Sequence, residues 1–383
     1  MGSHAELRVL HVSEVHWGGV VTLLDHFRAE QHRTGHEVAL LAPAGPPQWQ
    51  GSGFRRWAVD RRRPATVPTA LRELRRAVEE TAPDVVHLHS FVAGQLGRLP
   101  GVVTARRRVP VVYQPHAWST DLFPGAVGRQ LVTRAERSAA ARTDLLVANC
   151  EDEIEHGRRL GIDVPGRALG VAVDLERFCP QESRSDAPLP EIQALAGRPV
   201  VLALGRVGAY QKGHDLLVAA WEQDPPEDAV LVLVGPGDPA PLAALAPTQW
   251  DRSIRAFGDT ADVCAWLARA DVLVLPSRYE TVGLVVAEAM AMGVPVVATA
   301  VDGVRATVTG GPLPPAGAVV EPGDMTGLLE ATAARLHDPG LRRTESEAAR
   351  ARAEILFRPE SVAARLEAAY REAIEMSAAR SRA

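Results

Sequence analysis

The stretch PSRYETVGLVVAEAMAMG, Pro276 to Gly293, decides the fold. An apolar run from Asp271 to Leu275 leads into it and a second, Val294 to Val297, follows it, which reads as strand, turn, helix, strand. Leu284 to Ala291 contains no helix breaker; Gly293 closes the helix and Pro295 blocks its extension. Glu280 and Glu288 flank Gly283 within this unit. Backbone N–H groups near Gly283 and Leu284 point out of the helix N-terminus, a place that binds phosphate. A carboxylate beside a phosphate needs neutral hydrogen donors, and sugar hydroxyls are such donors. The segment predicts one acid on a ribose and the other on a transferable sugar, with phosphates between. The alternative is two solvated acids at a helix start, where acids are favoured anyway.

At 383 residues the chain is too long for one ordinary core and suits two domains. An apolar content of 46% with 23% charged residues describes a globular protein. No apolar run is long enough to span a bilayer, and Met1 to His4 reads as a cloning remnant, so a cytoplasmic location is expected. Cys150, Cys179 and Cys264 are scattered, without CxxC spacing, which favours a reducing compartment and argues against structural zinc. A net charge of −5 argues against nucleic acid as the main partner. Of 42 basic residues only Lys212 is lysine, which marks it as required where it stands.

From the N-terminus, Arg8 to Ser13 is a buried strand. The turn Glu14-Val15-His16-Trp17-Gly18-Gly19 joins it to a helix from Val20 to Arg33. Gly18 and Gly19 let backbone approach a ligand, or simply make a tight turn. There is no G-x-G-x-x-G, which disfavours a nicotinamide oxidoreductase. After a strand at Glu37 to Ala42, Arg55, Arg56 and Arg61 to Arg63 form a basic cluster before a helix from Pro68 to Glu80. That face is either solvated and balanced by Glu73, Glu79 and Glu80, the favoured reading, or a peripheral contact with the inner membrane leaflet for a lipid-linked acceptor. Asp84 to His89 and Val109 to Tyr113 are strands, and His87 and His89 inside the first are assigned no role. His116, just past the second, faces the ligand crevice of an open α/β sheet. Further strands are expected at Leu145 to Asn149, Pro199 to Leu204, Ala229 to Val234 and Ser253 to Phe257. Helices are expected at Glu151 to Leu160, Ala261 to Arg269, Asp324 to His337, Leu341 to Phe357 and Pro359 to Met376. Gln181 to Arg198 is polar and Pro-rich, a linker.

Three segments carry a resemblance. Glu280, Gly283, Leu284, Glu288, Ala289 and Met290 resemble the E-x7-E signature of the retaining family 4 glycosyltransferases, enzymes of the GT-B fold. Gly205-Arg206-Val207-Gly208-Ala209-Tyr210-Gln211-Lys212-Gly213 is similar to that family's G-R-x…K-G segment. Val171 to Pro180 is similar to the segment that ends its first domain, with Asp174, Phe178 and Pro180 matching. Two departures stand out: Thr281 and Val282 replace the usual aromatic after the first Glu, and Gly170 to Ala172 replace the usual Asn-Gly.

The resemblance implies an α/β architecture of two Rossmann-like parallel-sheet domains facing a cleft. Residues 5–183 would form the acceptor-side domain and 184–357 the nucleotide-sugar domain, with 358–383 a helix crossing back onto the first. It implies retaining transfer of a hexosyl group from an NDP-sugar, expected to be a UDP-sugar, to an acceptor hydroxyl. Arg206 and Lys212 would hold the diphosphate, a planar fork and a point charge. They would neutralise the leaving group, so no metal or other cofactor is expected and the NDP-sugar is a co-substrate. Glu288 would bind ribose, Glu280 the donor sugar and His116 the same sugar, with Gly18, Gly19, Gly205, Gly258, Thr281, Val282, Gly283 and Leu284 lining the donor. Glu14, His16, Trp17 and Trp118 are the acceptor candidates. A sugar phosphorylase of the same fold and a non-catalytic sugar-nucleotide-binding protein are the alternatives.

Overall fold

The computed structural model describes residues 6–45, 49, 51, 53–60, 63–103, 108–122, 125–180, 189–195 and 197–382. Met1 to His4, Arg61 and Arg62 of the basic cluster, and residues 181–188 of the linker lie outside these. The chain divides into two compact units, Met1–Ala172 with Pro359–Ala383, and Val173–Arg358.

The first unit is built on strands β1 (Arg8–Ser13), β2 (Glu37–Ala42), β3 (Phe54–Arg56), β4 (Val85–His89), β5 (Val111–Gln114), β6 (Leu145–Ala148) and β7 (Gly166–Ala168). They form one parallel sheet in the order β3-β2-β1-β4-β5-β6-β7. Parallel strands are covered on both faces, so the central ones are buried nearly throughout rather than on alternate residues, with His11, His87 and His89 among their apolar neighbours. Helices α1 (Gly19–Arg33), α2 (Val67–Thr81), α3 (Ser90–Gly97), α4 (Ala126–Ala140) and α5 (Glu151–Arg159) supply the cover. Ala70, Leu74 and Ala77 of α2, spaced at helical intervals, pack into the same core as Leu10, Val12, Val86 and Leu88.

The second unit has strands β8 (Val200–Leu204), β9 (Val230–Val234), β10 (Ile254–Phe257), β11 (Val272–Leu275), β12 (Val296–Thr299) and β13 (Gly317–Val320). Its parallel order is β10-β9-β8-β11-β12-β13. Its helices are α6 (Pro190–Gln193), α7 (His214–Gln223), α8 (Ala240–Ala243), α9 (Val263–Arg269), α10 (Leu284–Ala291), α11 (Val304–Val308), α12 (Met325–His337) and α13 (Pro339–Leu356). Asp262, Asp324 and Asp338 cap α9, α12 and α13 by accepting backbone N–H groups of their first turns. A final helix, α14 (Pro359–Arg382), belongs to the first unit, where its buried Tyr370 meets His87 of β4 and Gln31 of α1. Among the described residues no helix is long and apolar enough to cross a membrane.

In both sheets the strand order reverses direction beside the first strand, β1 in one unit and β8 in the other. Ligands of open α/β sheets bind outside the carboxyl ends of strands at such a point. One buried ion pair braces the first unit: Glu136 accepts from Arg98 Nη2 at 2.7 Å and from the Tyr113 hydroxyl at 3.0 Å. Both charged side chains are 1% exposed. Glu136→Ala would leave the Arg98 guanidinium buried without its counter-ion, a loss of about 3–5 kcal/mol. Urea unfolding, read as the transition of the first unit, should show that loss, and Glu136→Gln a smaller one.

Candidate active site

In the second unit the singled-out residues gather at the carboxyl ends of β8, β10 and β11. β8 ends at Leu204, and the loop carries Gly205 and Arg206 to a turn, Tyr210–Lys212, that delivers Lys212. β11 ends at Leu275, and its loop carries Glu280 to the start of α10 at Leu284. Lys212 Nζ donates to Glu280 Oε1 at 2.5 Å, with the two side chains 16% and 9% exposed. Ser277 Oγ donates to the same oxygen at 3.3 Å.

Backbone geometry brings these two loops together. Gly213, at φ 65°, lies so close to the Pro276 carbonyl that a Cβ there would sit 2.0 Å from its oxygen. The Arg278 N–H donates to the Gln211 carbonyl at 2.8 Å, and the Gln211 amide donates to the Tyr279 carbonyl at 3.3 Å. Arg278 then grips Asp215 with two parallel bonds of 2.7 and 2.6 Å and stacks over Tyr210, 4.3 Å from the ring centre. Sequence reasoning passed over Asp215 and Arg278, although both lie within or beside the two motifs.

Gly205 also opens a row of backbone. Its N–H donates to the Val234 carbonyl at 3.0 Å, and the N–H of Gly235 donates to the Gly258 carbonyl at 3.1 Å. A Cβ on Gly235 would lie 2.1 Å from the Gly205 carbonyl oxygen, so three adjacent strand ends carry glycine with no side chain between them. Gly258 is exposed at the outer end of this row. Thr281 and Val282 fill the loop before Gly283, Val282 in the interior at 3% exposed. Glu288 is partly exposed, yet so closely packed that desolvation pushes its carboxyl up to about 7, against an opposing pull from the Arg177 charge. Arg177, in the segment that ends at Pro180, was not singled out from the sequence.

In the first unit Gly18 and Gly19 are exposed at the start of α1, beyond the end of β1. Exposed His16 and Trp17, the latter 48% exposed, precede them. Glu14 turns inward and accepts the backbone N–H groups of Val92 and Ala93 at 2.9 and 3.0 Å, in the first turn of α3. Trp118 is a core residue rather than a pocket wall. It is 1% exposed, packs edge-on to Tyr113, and donates its indole N–H to the Glu153 carbonyl at 2.7 Å. Its polar end is thereby satisfied inside the fold, and the aromatic body follows it. His116 lies beyond β5 with φ 54°, and Ala117 follows at φ 84°. Two successive non-glycine residues in the left-handed region are strained, and Glu153 pins them by accepting the Ala117 N–H at 2.6 Å and the Asn149 N–H at 2.8 Å.

These motifs find their counterpart among known proteins. Residues 18–172 match the family model described as glycosyl transferase 4-like domain, and residues 198–338 the model described as glycosyl transferases group 1. A D-inositol 3-phosphate glycosyltransferase of Catenulispora acidiphila is 32% identical over 88% of this chain and 81% of its own length. The chain belongs to the family 4 glycosyltransferases. Its fold is GT-B. A D-inositol 3-phosphate glycosyltransferase of Xylanimonas cellulosilytica is 34% identical over 59% of this chain, and the match spans only 57% of that relative. The Anabaena protein HepE, solved with UDP and glucose, superposes with a TM-score of 0.78 at 19% identity, covering 95% of this chain and 99% of that one.

Gly213→Ala tests the loop junction. Gly311 shares its left-handed backbone, at φ 73°, but has nothing within 4 Å of its Cβ position. Gly311→Ala should cost about 1–2 kcal/mol, the ordinary penalty of that conformation. Gly213→Ala should cost clearly more, since the Pro276 carbonyl must also move. Paired denaturation curves measure the difference, and equal losses would show that the two loops separate freely.

Proposed function

We propose that the chain transfers a hexosyl group, with retention, from a UDP-sugar to a hydroxyl of a small polar acceptor. The observation that carries this reading is the Lys212–Glu280 pair, set beside the N-terminus of α10 by Gly213. Lys212 has three N–H donors, one of them on Glu280, and the others suit the oxygens of a diphosphate. Arg206 adds a second, planar cation. Together with the N–H groups at Gly283 and Leu284 they supply the charge that stabilises a departing nucleoside diphosphate without calling on a metal. The bond between the anomeric carbon and the phosphate oxygen breaks, the acceptor oxygen attacks from the same face, and its proton passes to that phosphate oxygen.

Glu288 takes the ribose hydroxyls, Glu280 a hydroxyl of the donor sugar, and His116 another. The glycine row Gly205–Gly235–Gly258 suits the flat base. HepE, crystallised with UDP and glucose, supports uridine as the base. The relatives named for D-inositol 3-phosphate support a polyol acceptor, with exposed His16 and Trp17 as its contacts. Glu14 and Trp118, each engaged inside the fold, are left out of that role.

Thermal unfolding against UDP, GDP, dTDP and ADP, with inorganic phosphate as control, tests the donor class. A nucleotide at a hundredfold excess over its dissociation constant adds about 2.7 kcal/mol. UDP should give that shift and Lys212→Ala should abolish it; a response to phosphate alone would indicate a phosphorylase instead. Glu280→Gln should fold normally and lose transfer by two orders of magnitude or more.

The raised carboxyl of Glu288 gives a pH signature. A folded-state value near 7, above the ordinary carboxylate value, means that ionising Glu288 weakens the free protein as pH rises through about 4.5 to 7. Ribose hydroxyls donate best to the ionised form, so nucleotide affinity should increase between pH 6 and 8, about the value of 7. Titration calorimetry across that range should show the increase, and Glu288→Gln should flatten it.

A further inference from the structure

Three histidines of the first unit, His11, His89 and His116, form a hydrogen-bonded chain, and the glycosyltransferase reading gives the first two no role. The amide oxygen of Gln31 only accepts, so His11 Nε2 donates to it, at 2.9 Å. A neutral imidazole has one donor and one acceptor, so His11 Nδ1 is a lone pair and receives the N–H of His89 Nε2, also at 2.9 Å. His89 Nδ1 is then a lone pair in turn and receives the N–H of His116 Nε2 at 3.0 Å. The orientation of one amide thus propagates through three rings.

A second branch runs in a compatible sense. The Gln31 amide N–H points to the Tyr370 hydroxyl at 3.4 Å, and that hydroxyl lies 2.8 Å from His87 Nδ1, to which it donates. The remaining N–H of His87 is then on Nε2, which is buried without a hydrogen-bond partner among the described residues, and the amide of Gln114 donates to Asn149 Oδ1 at 2.9 Å. Reversing both branches would move the unpartnered N–H from His87 Nε2 to His116 Nδ1, which is also buried without a partner among the described residues, so it is the orientation of the Gln31 amide that sets the sense. Desolvation keeps the rings neutral, lowering His11 to about 4, His116 to about 3, and His87 and His89 well below the ordinary histidine value.

We propose that Gln31, His11 and His89 are positioning residues that hold His116 in its Nε2–H tautomer, so that His116 offers a ligand only an acceptor, Nδ1. His116 then has no proton to give, because its single N–H is spent on His89. Once a movement of the ring uncovers Nδ1, which is buried in this structure, it accepts from a sugar hydroxyl and rejects any group that can only accept. This last consequence rests on the reading that places His116 against the donor sugar. His11, His87 and His89 also lie close enough together to hold a metal ion, their candidate nitrogens all within 4.8 Å. A metal would need the nitrogens of His11 and His89 that now share a proton, and so is incompatible with the relay.

Nitrogen NMR of histidine-labelled protein, with His116 assigned by His116→Gln, reads the tautomer directly and without substrate. Wild type should show an unprotonated Nδ1 on His116. Gln31→Leu, which removes the anchoring acceptor, should give a mixture of tautomers, and Gln31→Glu, which restores an acceptor, should return the wild-type pattern. A merely structural role for Gln31 would leave the tautomer unmoved in the folded Leu variant and would overturn the proposal. A protonated Nδ1 in wild type, or stoichiometric tightly bound zinc in the purified protein, would overturn it without any substitution. Monodeoxyfluoro donor sugars supply the second readout, since fluorine accepts but cannot donate. One fluorinated position should lose at least about tenfold in kcat/KM with wild type, a discrimination that His116→Ala removes. The expected NMR pattern with no such position would support the relay and overturn only the placement of His116 at the sugar.

Discussion

Everything in the second unit's site follows from the close approach of Gly213 to the Pro276 carbonyl. The loops after β8 and β11 come from adjacent strands, but adjacency alone leaves side chains of ordinary length between them. With no Cβ at Gly213 the backbones touch, the Arg278 N–H reaches the Gln211 carbonyl, and Lys212 is aimed at Glu280. The bidentate Arg278–Asp215 pair holds the outer side of the same junction. Glu280 is therefore positioned by a cation on a different loop, and a change in either loop is felt by both.

Much of this arrangement was legible in the sequence because it is local. The strand–turn–helix pattern around Glu280 and Glu288 places both acids on one unit, and a single lysine in an arginine-rich chain marks Lys212. Helix α10 is found at the expected Leu284 to Ala291, bounded by residues whose backbone preferences leave little choice. The pairing of Lys212 with Glu280 was not legible. It depends on a contact across 68 positions that no periodicity encodes.

Among the elements that escaped the sequence, β3, β7 and α4 have a clear physical reason. Strands β3 and β7 are three residues long and lie at the sheet edges, where half the usual burial suffices and no apolar run is required. Helix α4 carries arginines on its exposed face and only Val132, Glu136 and Ala139 as buried residues, so its amphipathic stripe is thin. Glu136 is a carboxylate doing the job of a core residue, which composition cannot reveal. Trp118 erred in the opposite direction: an aromatic after a strand end suggests a pocket, but a nearby carbonyl satisfied its N–H and drew it inward. His87 and His89 lie within a buried strand, as the sequence indicated; their partners, His11, Gln31 and Tyr370, come from β1, α1 and α14.

The two units handle polarity by opposite means. In the second, charges are kept and paired: Lys212 with Glu280 and Arg278 with Asp215, beyond the ends of β8 and β11. In the first, the polar groups behind His116 are neutral, and desolvation keeps them so. In a buried chain of neutral imidazoles each ring that accepts at one nitrogen must donate from the other, and that requirement gives the chain a direction. A charged group would pull on any anion near it; a directed neutral chain discriminates by hydrogen-bond sense alone.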